Sequence, residues 1–237
     1  MDTILITGAT SGIGLALAKR YLADGNKVII VGRNEEKLQN TVKDNPGLIP
    51  LLCDVSIEEN RIKLFEIVSR DYPEVNILIN NAGIQQRSLL CDLDWQDWKK
   101  ELDTNLDAPI HLCNLFVPFL KGKDNATIIN VTSGLAFRPM NNMPVYCATK
   151  AGLHSFTYIL REQLRDMNIS VLEIIPPAVN TNLGGPGVHS SATDVDIFTD
   201  SVYPKLLAGQ EEIGFEFSQA FEGKTRRELE TMQARRS

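Results

Sequence analysis

The feature that most constrains the fold of this chain is a regular alternation between short apolar runs and stretches with helical spacing. The runs are nearly continuous and rich in β-branched residues, which is typical of parallel strands buried on both faces. They occupy residues 3–7, 27–31, 48–53, 76–80, 127–132 and 169–175. Between them, apolar residues recur every three or four positions. The alternation predicts an α/β fold, a doubly wound parallel sheet with helices on both faces.

Length and composition fit one globular domain. The chain has 237 residues, of which 43% are hydrophobic and 23% are charged. No linker, repeat or low-complexity stretch divides it, so we predict a single domain over residues 1–237. Near the end, residues 211–217 are predicted to form a last strand, and residues 224–236 a terminal helix of mixed charge.

Charge and hydropathy argue against several classes of partner. The formal net charge is −6, which lacks the basic surface that nucleic-acid binding needs. No signal-peptide pattern is present, and no apolar run reaches the roughly 20 residues of a membrane-spanning helix. We expect a cytoplasmic protein that binds no nucleic acid and does not insert into membranes. The four cysteines are widely spaced, so we expect reduced thiols and no metal site.

The rhythm of strands and helices stops after residue 175. Pro176 and Pro177 end the strand, and residues 180–194 are rich in Gly, Pro, Ser and Thr. Long irregular loops in compact domains often bind ligands. We predict a substrate loop at about 180–195; the alternative is a tolerated surface insertion.

A glycine-rich turn joins the first strand to the first helix. It reads Thr-Gly-Ala-Thr-Ser-Gly-Ile-Gly over residues 7–14. Backbone N–H groups at such a helix start bind anions, and glycines let the backbone approach a pyrophosphate. The turn lacks the Gly-Lys-Ser/Thr of a nucleoside triphosphate loop. It therefore predicts dinucleotide binding by Gly8, Ser11, Gly12, Ile13 and Gly14, although a glycine cluster alone would also fit a tight turn without a ligand.

Arg33 bears on which dinucleotide binds. It follows Gly32 at the end of the second strand, where an acidic residue would bond the ribose 2′-hydroxyl of NAD. The guanidinium group suits a phosphate, which favours NADP(H) over NAD(H). NAD(H) stays possible, because Arg33 could stack on adenine or face solvent, and because Ser11 is not the second cation often found in the glycine turn.

These motifs resemble those of the short-chain dehydrogenase/reductase family. The glycine turn, Asn-Asn-Ala-Gly at residues 80–83, Ser133, and Tyr-Cys-Ala-Thr-Lys at residues 146–150 occur in the family's order, and Ser133 lies thirteen residues before Tyr146. The likeness extends from Thr3 to about Thr181. More narrowly, residues 31–38 and 176–181 are similar to the oxidoreductases encoded beside the bacterial machinery that D-alanylates lipoteichoic acid.

The resemblance implies a fold and a set of site residues. It implies a Rossmann-type sheet of seven strands and an adenine pocket lined by Asp54 and Val55. It also implies that Asn105 matches the family's catalytic asparagine and that Lys150 holds the nicotinamide ribose. Other expected cofactor contacts are Asn81, Ala82, Gly83, Val179 and Thr181. Pro177 replaces the glycine that usually follows the first proline of this last segment, which leaves the details of nicotinamide contact open.

Tyr146 and Lys150 carry the expected chemistry. Four positions apart on a predicted helix, they lie on one face. A nearby ammonium, together with the positive charge of the nicotinamide, would favour the phenolate and lower the tyrosine pKa. Tyr146 could then exchange a proton with a substrate oxygen positioned by Ser133. Taken alone, a Tyr-x-x-x-Lys pattern is usually explained by an ordinary surface pair on a helix.

The prediction from these residues is an NADP(H)-dependent oxidoreductase acting on a small carbonyl or alcohol. The alternatives are a nucleotide sensor with little turnover, an NAD(H)-preferring dehydrogenase, and an isomerase or epimerase. Arg87 and Arg138 are interpreted either as contacts for an acidic substrate or as solvated surface residues. The resemblance further implies a homodimer or homotetramer.

Overall fold

The computed structural model describes residues 1–92, 94–224 and residue 228. Its centre is one parallel sheet of seven strands in the order β3-β2-β1-β4-β5-β6-β7. The strands are β1 Thr3–Thr7, β2 Lys27–Gly32, β3 Leu48–Leu52, β4 Ile77–Asn80, β5 Thr127–Val131, β6 Ser170–Ile175 and β7 Glu212–Gly214. The predicted doubly wound α/β fold is confirmed.

Helices cover both faces of the sheet, because its strands are apolar on both sides. The helices are α1 Gly12–Ala23, α2 Glu35–Asp44, α3 Glu58–Asp71, α4 Trp95–Leu102, α5 Ala108–Leu120, α6 Pro144–Leu164 and α7 Val195–Leu207. One apolar core contains side chains of α1, α2 and α7, and a second contains side chains of α3, α5 and α6. In the part of the chain described, no helix has the length and apolarity to cross a membrane.

The strand order creates a crevice at one edge of the sheet. The chain builds outward from β1 to β3 and then returns to place β4 on the other side of β1. The loops after β1 and β4 therefore diverge, and such a switch point is where open α/β sheets bind ligands. Thr7 holds the two loops in register, since its Oγ1 accepts hydrogen bonds of 3.0 and 3.1 Å from the N–H groups of Asn81 and Ala82.

The last strand is shorter than predicted. Residues 211–217 were expected to be extended, but β7 ends at Gly214 and a 3-10 turn follows over Glu216–Phe221. Ser218 explains the turn, because its hydroxyl donates a 2.6 Å hydrogen bond to the carbonyl of Ile175 on β6. The predicted terminal helix at 224–236 lies almost entirely outside the described residues.

The predicted substrate loop begins and ends on neighbouring backbone. Val179 and Thr193 form an isolated parallel bridge, and the N–H of Asn180 donates to the carbonyl of Thr193 at 2.7 Å. Between these ends the chain makes successive turns that include Gly184, Gly185 and Gly187, all with positive φ. The loop is thus closed at its base by main-chain contacts.

Candidate active site

A cavity of about 830 Å³ opens at the carboxyl edge of the sheet. It brings together residues from the glycine turn, from the ends of β2, β4 and β5, from α6 and from the substrate loop. The sequence-predicted residues on its wall are Gly8, Ser11, Gly12, Ile13, Arg33, Asp54, Val55, Asn81, Ala82, Gly83, Ser133, Tyr146, Lys150, Val179 and Thr181. Gly14 and Asn105 are the two predicted residues that do not line it.

The geometry of the glycine turn fits a bound pyrophosphate. Gly8 and Gly12 have φ values of +66° and +57°, and a Cβ on Gly8 would lie 2.7 Å from the Cα of Ala82. Ser11 is the N-cap of α1, but its side chain accepts no hydrogen bond from the helix, and the first turn carries no acidic residue. The N–H groups at the start of α1 thus face the cavity without a side-chain cap, which suits an anion.

Gly14 serves packing instead of lining the cavity. A Cβ at this position would lie 2.4 Å from Nδ2 of Asn81 and 2.8 Å from the carbonyl oxygen of Gly8. Asn81 in turn donates from that nitrogen to the carbonyls of Thr7 and Gly8, at 2.9 and 3.1 Å. The third glycine therefore lets α1 approach the loop after β4, which is a helix-packing role.

The far end of the cavity is cationic. Arg33 is exposed there, and Lys37 from the first turn of α2 joins it on the wall. The ammonium of Lys37 donates a 2.9 Å hydrogen bond to the hydroxyl of Ser11. The sequence had suggested that a second cation was missing at this end, but α2 supplies one from outside the glycine turn.

Tyr146 and Ser133 meet on the cavity wall. The Tyr146 side chain is almost fully buried, and Ser133 is close enough to influence the pKa of its hydroxyl. Burial raises the pKa of Tyr146; the Ser133 hydroxyl lowers it, while the negative charge of Glu101 adds to the rise. The expected lowering concerns the cofactor-bound site, where the positive charge of the nicotinamide would act against burial. In the chain alone, Tyr146 is a neutral phenol at physiological pH.

Lys150 lies one helical turn after Tyr146, as predicted. Its ammonium is buried, lies 5.8 Å from the centre of the Tyr146 ring and donates a 2.9 Å hydrogen bond to the carbonyl of Val131. Burial lowers the pKa of Lys150 to about 8, and the carboxylates of Glu101 and Glu173 act against this change. The lysine can therefore gain or lose a proton close to neutral pH.

Asn105 lies behind the cavity wall. It sits in a π-helical turn, Asp103–Asp107, and is completely buried. Its carboxamide holds both backbone groups of Ile84, accepting from the N–H and donating to the carbonyl, each at 2.8 Å. The Asn105 oxygen lies 3.4 Å from the point where a Cβ on Gly83 would stand, and Lys150 Nζ lies 3.7 Å from that point. Asn105 thus positions the segment after β4.

Glu101 is a site residue that the sequence analysis missed. It is 1% exposed at the end of α4, and its carboxylate accepts a 3.0 Å hydrogen bond from the N–H of Gln86. Burial raises the pKa of Glu101 to about 7, although the Gln86 bond and the charge of Lys150 act to lower it. The residue stands among charged neighbours in the sequence, which suggested an exposed helix. The one sequence signal for a buried side chain was that Glu101 lies one helical turn before Asn105.

A second buried carboxylate lies on the other side of Lys150. Glu173 on β6 is fully buried; it accepts a 2.6 Å hydrogen bond from Thr132 and lies 2.9 Å from Nδ1 of His154. Burial is the largest single influence and lowers the pKa of His154, but the hydrogen bond to Glu173 and the negative charges of Glu173 and Glu212 together raise the pKa above its ordinary value. The pair joins β5, β6 and α6 directly beside Ser133 and Lys150.

The wall around Tyr146 is apolar. Met143 packs in one buried cluster with Tyr146, against Leu135 and Leu183. Met140 and Phe217 complete this part of the wall. The substrate loop reaches across the cavity to the segment after β4, because Nε2 of His189 lies 3.0 Å from Oε1 of Gln85. A bound molecule near Tyr146 would therefore meet mostly methyl, thioether and ring surface.

Sequence comparisons place the chain among the short-chain dehydrogenases. A family model described as short chain dehydrogenase matches residues 2–190. The oxidoreductase DltE of Bacillus subtilis (strain 168) is 46% identical over 189 residues, which cover 77% of this chain and 73% of that protein. An oxidoreductase of Staphylococcus aureus (strain USA300) is 31% identical over 181 residues, which cover 75% and 78% of the two proteins.

Solved structures share the fold. A short-chain dehydrogenase from Sphingobium yanoikuyae in complex with NADPH has a TM-score of 0.83 and 22% identity, covering 100% of this chain and 94% of that one. A short-chain dehydrogenase/reductase from Burkholderia phymatum in complex with NAD has a TM-score of 0.87 and 21% identity, covering 98% and 95%. With the family match over residues 2–190 and the similarity to DltE, the chain belongs to the short-chain dehydrogenase/reductase family of oxidoreductases.

Proposed function

We propose that the protein is an NADP(H)-dependent oxidoreductase that transfers a hydride between a nicotinamide and a small carbonyl or alcohol, with Tyr146 as the general acid/base. The observation that carries the proposal is that one cavity is lined by the glycine turn, by Tyr146 and Ser133, and by Lys150. The match to the short chain dehydrogenase family over residues 2–190 supports the reaction class, and relatives at 46% and 31% identity carry the name uncharacterized oxidoreductase.

The proton chemistry follows from the environment of Tyr146. When bound, the nicotinamide cofactor supplies or accepts the hydride. A carbonyl that gains a hydride becomes a strong base at oxygen, and the neutral phenol of Tyr146 can donate its proton there. Ser133 is placed to hydrogen-bond the same oxygen. Lys150, with a pKa of about 8 and one turn away, supplies positive charge that stabilises the resulting phenolate.

The cofactor preference rests on two cations at the adenosine end. Arg33 and Lys37 share a stretch of cavity wall, and Lys37 is hydrogen-bonded to Ser11 in the glycine turn. Two cations next to the N-terminus of a helix favour a phosphate on the adenosine ribose. NADP(H) carries that 2′-phosphate and NAD(H) does not.

We also propose that two or four copies of the chain associate. The outer faces of α5 and α6 carry Ile110, Tyr158 and Ile159, which are 36%, 53% and 50% exposed. Apolar side chains on adjacent helices are suited to a self-complementary interface. Light scattering after gel filtration should give the mass of a dimer or tetramer, and a monomeric mass would contradict this. A cytoplasmic location stays a prediction from the sequence.

The test of the proposed reaction is Tyr146→Phe. We expect the purified protein to oxidise NADPH in the presence of at least some members of a ketone and aldehyde panel. In the variant, kcat should fall about 10²- to 10⁴-fold while NADPH affinity is retained. Tyr158→Phe, an exposed tyrosine on the same helix, is the matched control and should keep wild-type activity. Full activity in Tyr146→Phe would overturn the mechanism. NADPH binding without turnover of any compound would favour a sensor.

A further inference from the structure

The substrate side of the cavity holds an uncompensated positive charge. Arg87, in the segment after β4, is exposed and lines the cavity. Within residues 1–92, 94–224 and 228, its guanidinium makes no hydrogen bond or ion pair. Arg138, the other arginine near the cleft in the sequence, is exposed and does not line the cavity. Of the two interpretations weighed for these residues, the structure favours a cavity role for Arg87 alone.

Arg87 stands close to the apolar wall around Tyr146. The N–H of its neighbour Ser88 donates a 3.0 Å hydrogen bond to the carbonyl of Asn142, the residue before Met143. On the other side, Gln85 contacts His189 of the substrate loop. The pKa of His189 is lowered by burial and then by the charge of Arg87, so the guanidinium and the imidazole share one region. The cation therefore lies between the substrate loop and the residues that pack on Tyr146.

The other charged side chains on the cavity wall are engaged elsewhere. Arg33 and Lys37 are at the adenosine end, and Lys150 is bonded to the carbonyl of Val131. Among the described residues, the carboxylate on the wall is that of Asp54, which accepts hydrogen bonds from the backbone and hydroxyl of Ser56. In that part of the chain, no acidic side chain on this wall is thus placed to neutralise Arg87.

We propose that Arg87 binds a carboxylate of the substrate, and that the protein acts on oxo acids or hydroxy acids with an apolar carbon chain. The planar guanidinium matches a carboxylate with two parallel hydrogen bonds. A single arginine balances a single negative charge, and the methionine, leucine and phenylalanine wall suits the carbon chain. The inference rests on the proposed function. The carbonyl gains a hydride at carbon and a proton at oxygen, and the carboxylate is unchanged.

Matched acids and esters test this directly. Acetoacetate, levulinate and 5-oxohexanoate differ in the distance between carbonyl and carboxylate, and the ethyl ester of each removes the charge. We expect wild-type kcat/KM to favour the acid over the ester at one or more chain lengths by about 10- to 100-fold, the range for a charged hydrogen bond. Arg87→Gln should abolish this preference, mainly through KM for the acid, while ester turnover is retained. Arg138→Gln is the matched control and should change neither.

A binding measurement makes the result independent of turnover. Pentanoate should raise the melting temperature of the wild-type protein in the presence of NADP⁺, pentanamide should not, and Arg87→Gln should remove the difference. Equal turnover of acids and esters, or equal effects of pentanoate and pentanamide, would overturn the carboxylate site. Turnover of the esters with no preference for the acids would overturn this inference and leave the proposed oxidoreductase reaction standing. Pentanoate binding through Arg87 with no turnover of either series would keep the carboxylate site and overturn the reaction proposed for it.

Discussion

The buried carboxylate of Glu101 accepts a 3.0 Å hydrogen bond from the backbone N–H of Gln86. One turn later, Asn105 holds both backbone groups of Ile84. The two side chains therefore fix the segment after β4 at either side of Gln85, whose own side chain contacts His189 across the cavity. The end of α4 and the π-helical turn thus determine where the substrate loop meets the rest of the site.

Glu101 should make stability depend on pH near neutrality. Its pKa is raised to about 7, so the folded protein binds this proton more tightly than the unfolded chain. The free energy of unfolding should therefore fall as pH rises from about 4.5 to about 7, by about 3 kcal/mol. Glu101→Gln should remove that slope in urea unfolding between pH 5 and 8. Glu66→Gln, on the exposed face of α3, should keep it. Parallel curves for wild type and Glu101→Gln would contradict the assignment.

Cofactor discrimination should depend on Lys37 as well as Arg33. Either Lys37→Ala or Arg33→Ala should weaken NADPH binding about 10- to 100-fold and leave NADH binding within about threefold, since only NADPH offers a 2′-phosphate. Dissociation constants from nicotinamide fluorescence would measure this. Lys43→Ala, an exposed lysine on the same helix and off the cavity wall, should bind both cofactors as the wild type does. Equal loss of both cofactors in Lys37→Ala would remove the proposed preference.

Gly14→Ala should destabilise the protein although alanine is the better helix former. The added methyl would lie 2.4 Å from Asn81 Nδ2 and 2.8 Å from a backbone oxygen. Such overpacking costs about 1–3 kcal/mol, which lowers the melting temperature by about 2–4 °C per kcal/mol in a chain of this size. Gly152→Ala in α6 is the control, because its methyl meets only the end of the Leu106 side chain. A Gly14→Ala variant as stable as Gly152→Ala would show that α1 can shift freely.

Arg61 should be important for stability and for the adenine pocket. It is 2% exposed and donates to the carbonyl of Val55 at 2.7 Å, to Asp107 at 2.7 Å and to His111 at 2.9 Å. Arg61→Ala leaves these acceptors without a donor and should cost about 2–4 kcal/mol in chemical denaturation. Arg70→Ala, at the exposed end of the same helix, should stay within about 0.5 kcal/mol of wild type. A similarly small effect for Arg61→Ala would mean that water replaces the guanidinium.

The strands could be predicted because burial on both faces restricts which residues they can contain. A strand covered by helices on both faces must be apolar throughout, and β1 to β6 lie within one or two residues of the predicted runs. The predicted end of the last strand was wrong by several residues. Its early end depends on Ser218 reaching Ile175, a contact between segments 43 residues apart that no local pattern contains.

The active-site motifs were predictable for a related reason, since a turn with positive φ and a helical pair four residues apart are local. Glu101 and Lys37 were not. Each occurs in a charged stretch that is typical of solvent-exposed helix, and only the packing of α4 against α6, or of α2 beside the glycine turn, determines its role. The burial of Tyr146 could not be predicted, because it depends on residues that pack on it from other segments.

Main-chain closure at Val179 and Thr193 leaves the side chains between them free to change. The bridge and the hydrogen bond from Asn180 use backbone atoms alone, so neither depends on which residues occupy positions 181–192. Exchanging the side chains at positions 186 and 188–192, which leaves Thr181, Leu183 and the glycines with positive φ in place, should retarget the enzyme to new compounds without disturbing the sheet. Substrate recognition by the loop can in this sense be changed separately from the residues that carry out the reaction.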